Sequence, residues 1–262
     1  MFYTSSSNRD FFRNLDLIGM KSEINTNKSV LIKINWARVY TKNHPRTDMV
    51  ILKNTIDYIY QNGGTCAVTE GADGYLHDNL VASGLESVLK HYEVKIIDAD
   101  IEDFEELISF GEHHYIPKCF KNYPIRIAIP STSKRKDMYY SNNIKLFVGA
   151  VPRKMYQLEY APVNGHVPRP RLHQNLDTSI ASLFLAMEAY SPFHFYINGG
   201  LSFNENKGEF RFDEIFIGND ALELDLHLYQ NFFSDCDYPK YLDIVKSKSV
   251  YWTDRRSLGF GG

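Results

Sequence analysis

Between Val30 and Asp98 the hydrophobic pattern switches repeatedly between the period of a strand and that of a helix. Val30–Trp36 (VLIKINW) is a β-branched run that reads as a buried strand. Val50, Ile51, Ile56 and Ile59 then recur at helix spacing, with Thr47 as the expected N-cap and Gly63-Gly64 as the stop. Thr65–Thr69 gives a second strand, residues 76–92 a second helix, and Val94–Ile97 a third strand closing on Asp98. A β-α-β-α-β order with short loops implies parallel strands joined by right-handed crossovers, since a crossover packs back onto a twisted sheet with that hand. The expected fold is therefore α/β, a mainly parallel central sheet with flanking helices.

Beyond Phe110 the pattern is less regular. Ile125–Ile129 and Ile144–Val151 read as strands, with Lys134-Arg135-Lys136 between them. Residues 157–172 contain Pro162, Pro168 and Pro170 and read as a long loop, a kind of segment that is uncommon unless it serves function. Asp177 or Thr178 is the expected cap of a helix reaching Tyr190; Phe193–Ile197 and Phe210–Ile217 read as strands, and Ala221–Phe233 as a helix. We expect one domain over residues 1–262, built from an α/β half at 25–115 and a second at 116–255, with the site between them. Ser5–Asn8 and Gly259–Gly262 are expected to be loose. Met1–Asp10 lacks a signal peptide's apolar run and no stretch reaches eighteen apolar residues, so no membrane partner is expected. Cys66, Cys119 and Cys236, with no CxxC pair, read as reduced thiols of a cytoplasmic protein.

A net charge of −3 excludes a wholly basic nucleic-acid-binding surface, but the average hides a segregation. From Ile116 to Asn175 there are eleven Lys or Arg against only Asp137 and Glu159. Such a basic middle suits an anion. Aromatic residues make up 14% of the chain, and Tyr139, Tyr140, Tyr156 and Tyr160 fall within that middle, so rings are expected at a cleft or interface.

Parallel sheets bind ligands at the carboxyl ends of their strands, which selects Lys33, Asn35 and Trp36, then Glu70–Gly74, then Asp98–Asp100. Lys33 is the first catalytic candidate, as an anion partner or a desolvated base; its bland alternative is an ion pair with Asp98. Asn35 could orient a ligand oxygen, and Glu70 joins the binding set. Arg169 and Arg171 would project to one side of an extended segment and grip a carboxylate or phosphate, reinforced by Lys145, Arg153 and Lys154. His173 beside them is the acid or base candidate. Asp225 lies in an apolar run and, if buried, needs a partner, for which these basic residues are the expected source. Asp220 reads as the N-cap of a capping box with Glu223. His113-His114 reads as a surface pair, and no metal site is expected. There is no GxGxxG, GxSxG or HExxH motif.

The strand ending in Lys33-Ile34-Asn35, His44-Pro45-Arg46-Thr47, Glu70-Gly71 and Ser83-Gly84-Leu85 resemble the opening of the domain of unknown function 362 family. Ile129-Pro130, Lys145 to Gly149, Leu172-His173, Ile197-Asn198-Gly199 and Ile217 to Asp225 resemble its later blocks in the same order. The chain departs from that pattern at Ile34, usually Pro, at Leu146, usually Asn, and at Asn198, usually Asp. Three scattered cysteines cannot supply the iron–sulfur module many members carry. The resemblance implies an α/β fold and names no reaction or cofactor. The leading expectation is an enzyme acting on a small anionic metabolite, aromatic or phosphorylated. The alternatives are a single-stranded nucleic-acid-binding protein and a non-catalytic partner-binding subunit.

Overall fold

The computed structural model describes residues 1–36, 46–72, 75–136, 138–157 and 169–248, without the side chains of Met138, Tyr139 and His173. In chain order its strands are β1 (Phe2–Ser5), β2 (Ser29–Ile34), β3 (Thr65–Glu70), β4 (Lys95–Asp98), β5 (Phe104–Ser109), β6 (Glu112–Pro117), β7 (Ile125–Ile129), β8 (Ser133–Arg135), β9 (Met138–Ser141), β10 (Phe195–Asn198), β11 (Leu201–Asn204), β12 (Gly208–Arg211) and β13 (Ile215–Gly218). The helices are α1 (Asn8–Leu17), α2 (Met20–Asn27), α3 (Met49–Gln61), α4 (Leu76–Ala82), α5 (Leu85–His91), α6 (Cys119–Asn122), α7 (Leu176–Tyr190) and α8 (Ala221–Leu228), followed by a further helix at 241–248.

The main sheet has seven strands in the order β1-β13-β10-β7-β2-β3-β4. β10, β7, β2, β3 and β4 run parallel, and β13 and then β1 add to one edge antiparallel to their neighbours. The chain moves outward from β2 through β3 to β4, then returns to lay β7 and β10 on the other side of β2. Strand order thus reverses between β2 and β7, the place where doubly wound sheets open a ligand crevice. A four-stranded sheet, β12-β11-β8-β9, and the β5-β6 hairpin complete the strand pairing among the described residues.

Side-chain alternation sorts the main sheet's residues onto two cores. Val30, Ile32, Val68, Ile127, Ile197 and Ile217 pack with α1 to α5 on one face. Leu31, Ala67, Ala128, Tyr196 and Phe216 pack with α7 and α8 on the other. Lys33 has the parity of Leu31 and so points to the α7 side, into the protein.

Several local expectations give way to contacts made far away in the chain. Ser5–Asn8 is ordered: Ser5 ends β1, and Ser7 caps α1 through its hydroxyl, which accepts from Asp10 N at 3.2 Å. Asp48, not Thr47, caps α3, accepting from Val50 N and Ile51 N. The helix expected over 76–92 breaks at Gly84, whose φ of +76° is left-handed. Residues 145–150 form a 3-10 helix instead of a strand. Phe210–Ile217 divides between β12 and β13, which belong to different sheets. The helix expected to reach Phe233 ends at Leu228 and continues as a π turn. α7 begins at Leu176, and Asp177 instead accepts from Tyr241 N at 3.0 Å.

Candidate functional site

Lys33 and Glu70 end up side by side because each lies at the carboxyl end of one of two adjacent parallel strands. Lys33 Nζ lies 2.9 Å from Glu70 Oε1 and donates to Ile34 O at 2.7 Å. Glu70 also accepts from Trp36 N at 2.8 Å and Gly71 N at 2.9 Å. The pair is 0% and 2% exposed. Burial lowers the Lys33 pKa and raises that of Glu70, and each charge opposes the other's shift. An ammonium has three donors, and two are used here.

Gly149 lies directly on this pair. A Cβ there would come within 2.7 Å of Glu70 Oε1 and 3.5 Å of Lys33 Nζ, so only glycine lets the 3-10 helix Lys145–Ala150 approach so closely. Gly71 N donates to Gly149 O at 2.8 Å, fixing that contact through the backbone.

Arg169 has a different task from the one its charge suggests. Its Nη2 lies 2.8 Å from Asp100 Oδ1 and 3.2 Å from Gly71 O, while Nε donates to Val151 O at 2.9 Å. Asp100 Oδ1 also accepts from Arg153 N at 3.0 Å. Arg169 therefore clamps together the segments after β3, after β4 and after the 3-10 helix, and it is buried. Arg171 does not stand beside it, because Pro170–His173 is a 3-10 turn and not an extended segment. Arg171 is exposed and donates to Met155 O at 3.2 Å. Lys145 is half-buried on the 3-10 helix, and the His173 side chain lies outside the described residues.

The reversal between β2 and β7 is closed by Thr47. Its hydroxyl accepts from Asn35 N at 2.8 Å and donates to Ile129 O, and its own N–H donates to Asn35 O at 3.1 Å. The half-buried Asn35 thereby has its backbone pinned at the reversal. Arg46 lies 5.4 Å from the Trp36 ring centre; His44, Pro45, Asp73 and Gly74 lie outside the described residues.

Asp225 finds amides and no basic residue. Its carboxylate accepts from Asn142 Nδ2 at 2.8 Å, Asn143 Nδ2 at 2.9 Å, and Asn143 N and Ile144 N at 3.1 Å each. Asn198 donates to Asn142 Oδ1 at 2.6 Å, and Thr132 donates to the same oxygen at 2.8 Å. Burial pushes the Asp225 carboxyl up to about 7 against these donors. The two backbone N–H groups belong to Asn143 and Ile144, which lead into the 3-10 helix, so Asp225 on α8 holds the turn that starts it. Asp220 caps α8 as expected, accepting from Glu223 N at 2.9 Å.

Part of the basic middle is consumed internally: Arg126 donates to Pro192 O, Phe120 O and Tyr123 O, and Lys134 pairs with Glu205 at 3.0 Å. Tyr140 and Tyr156 are 0% and 2% exposed, so neither is a stacking surface for bases. Tyr160 and the Tyr139 side chain lie outside the described residues. No cluster of metal-binding His, Cys, Asp or Glu occurs among the described residues, and none of their helices is long and apolar enough to cross a membrane.

Residues 30–230 match the family model for a domain of unknown function (DUF362). The chain belongs to this family. No curated protein matches it. The family span runs from β2 past α8, so the ion pair, the Arg169 clamp and the Asp225 cap all fall inside it. Three of the short blocks seen in the sequence meet at this edge: Lys145–Gly149 covers the ion pair, Ile217–Asp225 delivers the cap, and Asn198 joins its amides. Sequence reading missed Thr47 as a bridge, Asn142-Asn143 as the acceptor's partners, and Gly149 as the lid of the pair. A glycine inside a family block was the available signal for the last.

Proposed function

We propose that this protein is an enzyme acting on a small anionic metabolite, a carboxylate or a phosphate, bound at the carboxyl edge near the β2–β7 reversal. The observation that carries this reading is the buried Lys33–Glu70 pair, placed where doubly wound sheets take their ligands. In this reading the positive charge of Lys33, sealed beneath Gly149, draws the substrate anion to this edge without touching it, and Glu70 keeps the ammonium oriented. Asn35 and Lys145, both half-buried, supply flanking polar contacts, and His173 is the acid or base. Arg169 is a positioning residue that shapes the edge through Asp100. Free thiols at Cys66, Cys119 and Cys236 agree with a cytoplasmic setting.

A thermal-shift screen of nucleotides, phosphorylated sugars and aromatic acids tests the reading, because a ligand of the native state raises its melting temperature. One anionic class is expected to raise it, and Asn35→Ala and Lys145→Ala are expected to reduce the shift while leaving the unliganded melt near that of the parent. No response to any class, or a response unchanged in both variants, would overturn it.

A further inference from the structure

In the edge-site reading Lys33 attracts the anion from beneath Gly149 without touching it, so another residue must make the contact. Arg46 is set in place for it. It directly precedes Thr47, whose hydroxyl and N–H tie Asn35 and Ile129 together where strand order reverses. Its backbone is thereby fixed at the point where doubly wound sheets take their ligands.

The Arg46 guanidinium lies over the Trp36 ring, 5.4 Å from the ring centre. That ring is a fixed platform. Trp36 is buried, its Nε1 donates to Ser83 Oγ at 2.9 Å, and its backbone N–H donates to Glu70 Oε2 at 2.8 Å. A ring face holds a cation through its π electrons and takes none of its hydrogen bonds, so the five N–H donors of the guanidinium stay available. Among the described residues no carboxylate or carbonyl accepts from them.

The carboxylates nearby are already committed. Asp48 gives Oδ1 to Val50 N and Ile51 N, and Oδ2 to Arg211 at 2.6 and 2.7 Å. Glu70 divides its oxygens among Lys33, Trp36 N and Gly71 N, and Asp100 is held by Arg169. Each has its own cation, and the half-buried Arg46 is left without a counter-charge. A partly desolvated guanidinium in that position favours an anion from outside the chain. Arg169 carried the same expectation and was claimed by Asp100; nothing among the described residues claims Arg46.

We propose that Arg46 grips the anionic group of the substrate at the edge site, two parallel N–H donors of its fork meeting two oxygens of one carboxylate or phosphate. The assignment rests on the edge-site reading and names the residue that makes the contact there. Lysine could not replace it, because an ammonium is a point charge without two parallel donors. Lys33 supplies the field and Arg46 the geometry.

Trp36 and Trp252 are the two tryptophans of the chain, so in Trp252→Phe the emission comes from the ring beneath Arg46. Inorganic phosphate and acetate, the bare head groups of the two substrate classes, are titrated separately at constant ionic strength. Calorimetry reads the affinity, and Trp36 emission is followed in parallel. At least one of the two is expected to bind and to change that emission with the same midpoint, and the tighter of them names the class. Arg46→Ala should weaken binding about 10-fold or more, and Arg46→Lys about 3-fold or more, because it keeps the charge and loses the second bond. Unliganded melting temperatures near the parent's show that both variants fold. Affinity unchanged in Arg46→Ala, full affinity in Arg46→Lys, or a bound anion that leaves Trp36 emission unmoved would each overturn the assignment. If Asn35→Ala still weakens that binding, the edge-site reading survives without Arg46. Binding of neither anion would overturn both.

Discussion

Lys33 and His114 are both sealed from solvent on the α7 side of the main sheet, yet their surroundings differ in kind. Lys33 is met by a carboxylate and a carbonyl; His114 has one nitrogen bonded and the other bare. The cause is what each group must do with its proton on burial. Making a lysine neutral at pH 7 costs roughly 5 kcal/mol from its reference pKa, whereas an imidazole is already mostly neutral there. The chain had to supply Glu70 for Lys33, but it could bury His114 with a valence to spare. Burial of an ionisable group is thus a weak guide to function by itself; which of its hydrogen bonds are missing is the more telling fact.

The sharpest way to break this contrast is to remove the partner. Glu70→Ala leaves an ammonium buried without its counter-charge and is expected to cost about 3–5 kcal/mol in chemical denaturation. The double change Lys33→Met with Glu70→Leu should regain most of that loss, since no charge is then left unmatched. A loss below about 1 kcal/mol for Glu70→Ala would mean that water already reaches the pair.

How much of this was legible beforehand follows from the same physics. The alternation between Val30 and Asp98 places β2, β3 and β4 correctly, because each element there is decided by its own hydrophobic period. It also puts Lys33 and Glu70 at strand ends. Their pairing is a matter of strand adjacency, and Asp98 was the more conspicuous partner by its position at the end of β4. The Arg169–Asp100 pair was not legible, because a positive charge suggests an anion from outside and Asp100 lies far away in the chain. Ile144–Val151 looks like a strand by composition, yet Asp225 on α8 holds the turn that leads into its 3-10 helix. Phe210–Ile217 alternates only as far as Asp213; the polar pair Asp213-Glu214 marks a break, but nothing local signals that the two ends join different sheets. His114 was read with His113 as a surface pair, yet it is buried, and its tautomer depends on Ser182, whose hydroxyl is committed to Ser109 O.

A middle-sized effect sharpens the closed half of the comparison. Gly149→Ala would push a methyl group against Glu70 Oε1, an oxygen that cannot swing aside because Lys33 and two backbone N–H groups share that carboxylate. A loss of about 1–3 kcal/mol is expected, the usual range for overpacking. It should shrink in the Lys33→Met, Glu70→Leu background if the clash is with the ion pair and not with the sheet beneath it.

The smallest effect belongs to the open half. His114→Phe keeps a planar aromatic ring, one atom larger, and gives up one hydrogen bond, while Ser182 still donates to Ser109 O; the expected cost at pH 7 is about 1–2 kcal/mol. Its pH dependence is more revealing than its size. His114 has its pKa lowered to about 4, so the unfolded chain binds more protons between roughly pH 4 and 6.5, and this group's stability contribution falls as pH falls through that window. Asp225 has its carboxyl raised to about 7, so there the folded chain holds more protons, and that contribution falls as pH rises from about 4 to 7. The two slopes oppose each other over nearly the same range. Denaturation of the parent between pH 4.5 and 6.5 should therefore show the two partly cancelling, whereas His114→Phe should lose stability more steeply with rising pH than the parent does. A variant whose stability runs parallel to the parent's across that range would show that His114 is not held neutral by burial, and the contrast with Lys33 would lose its basis.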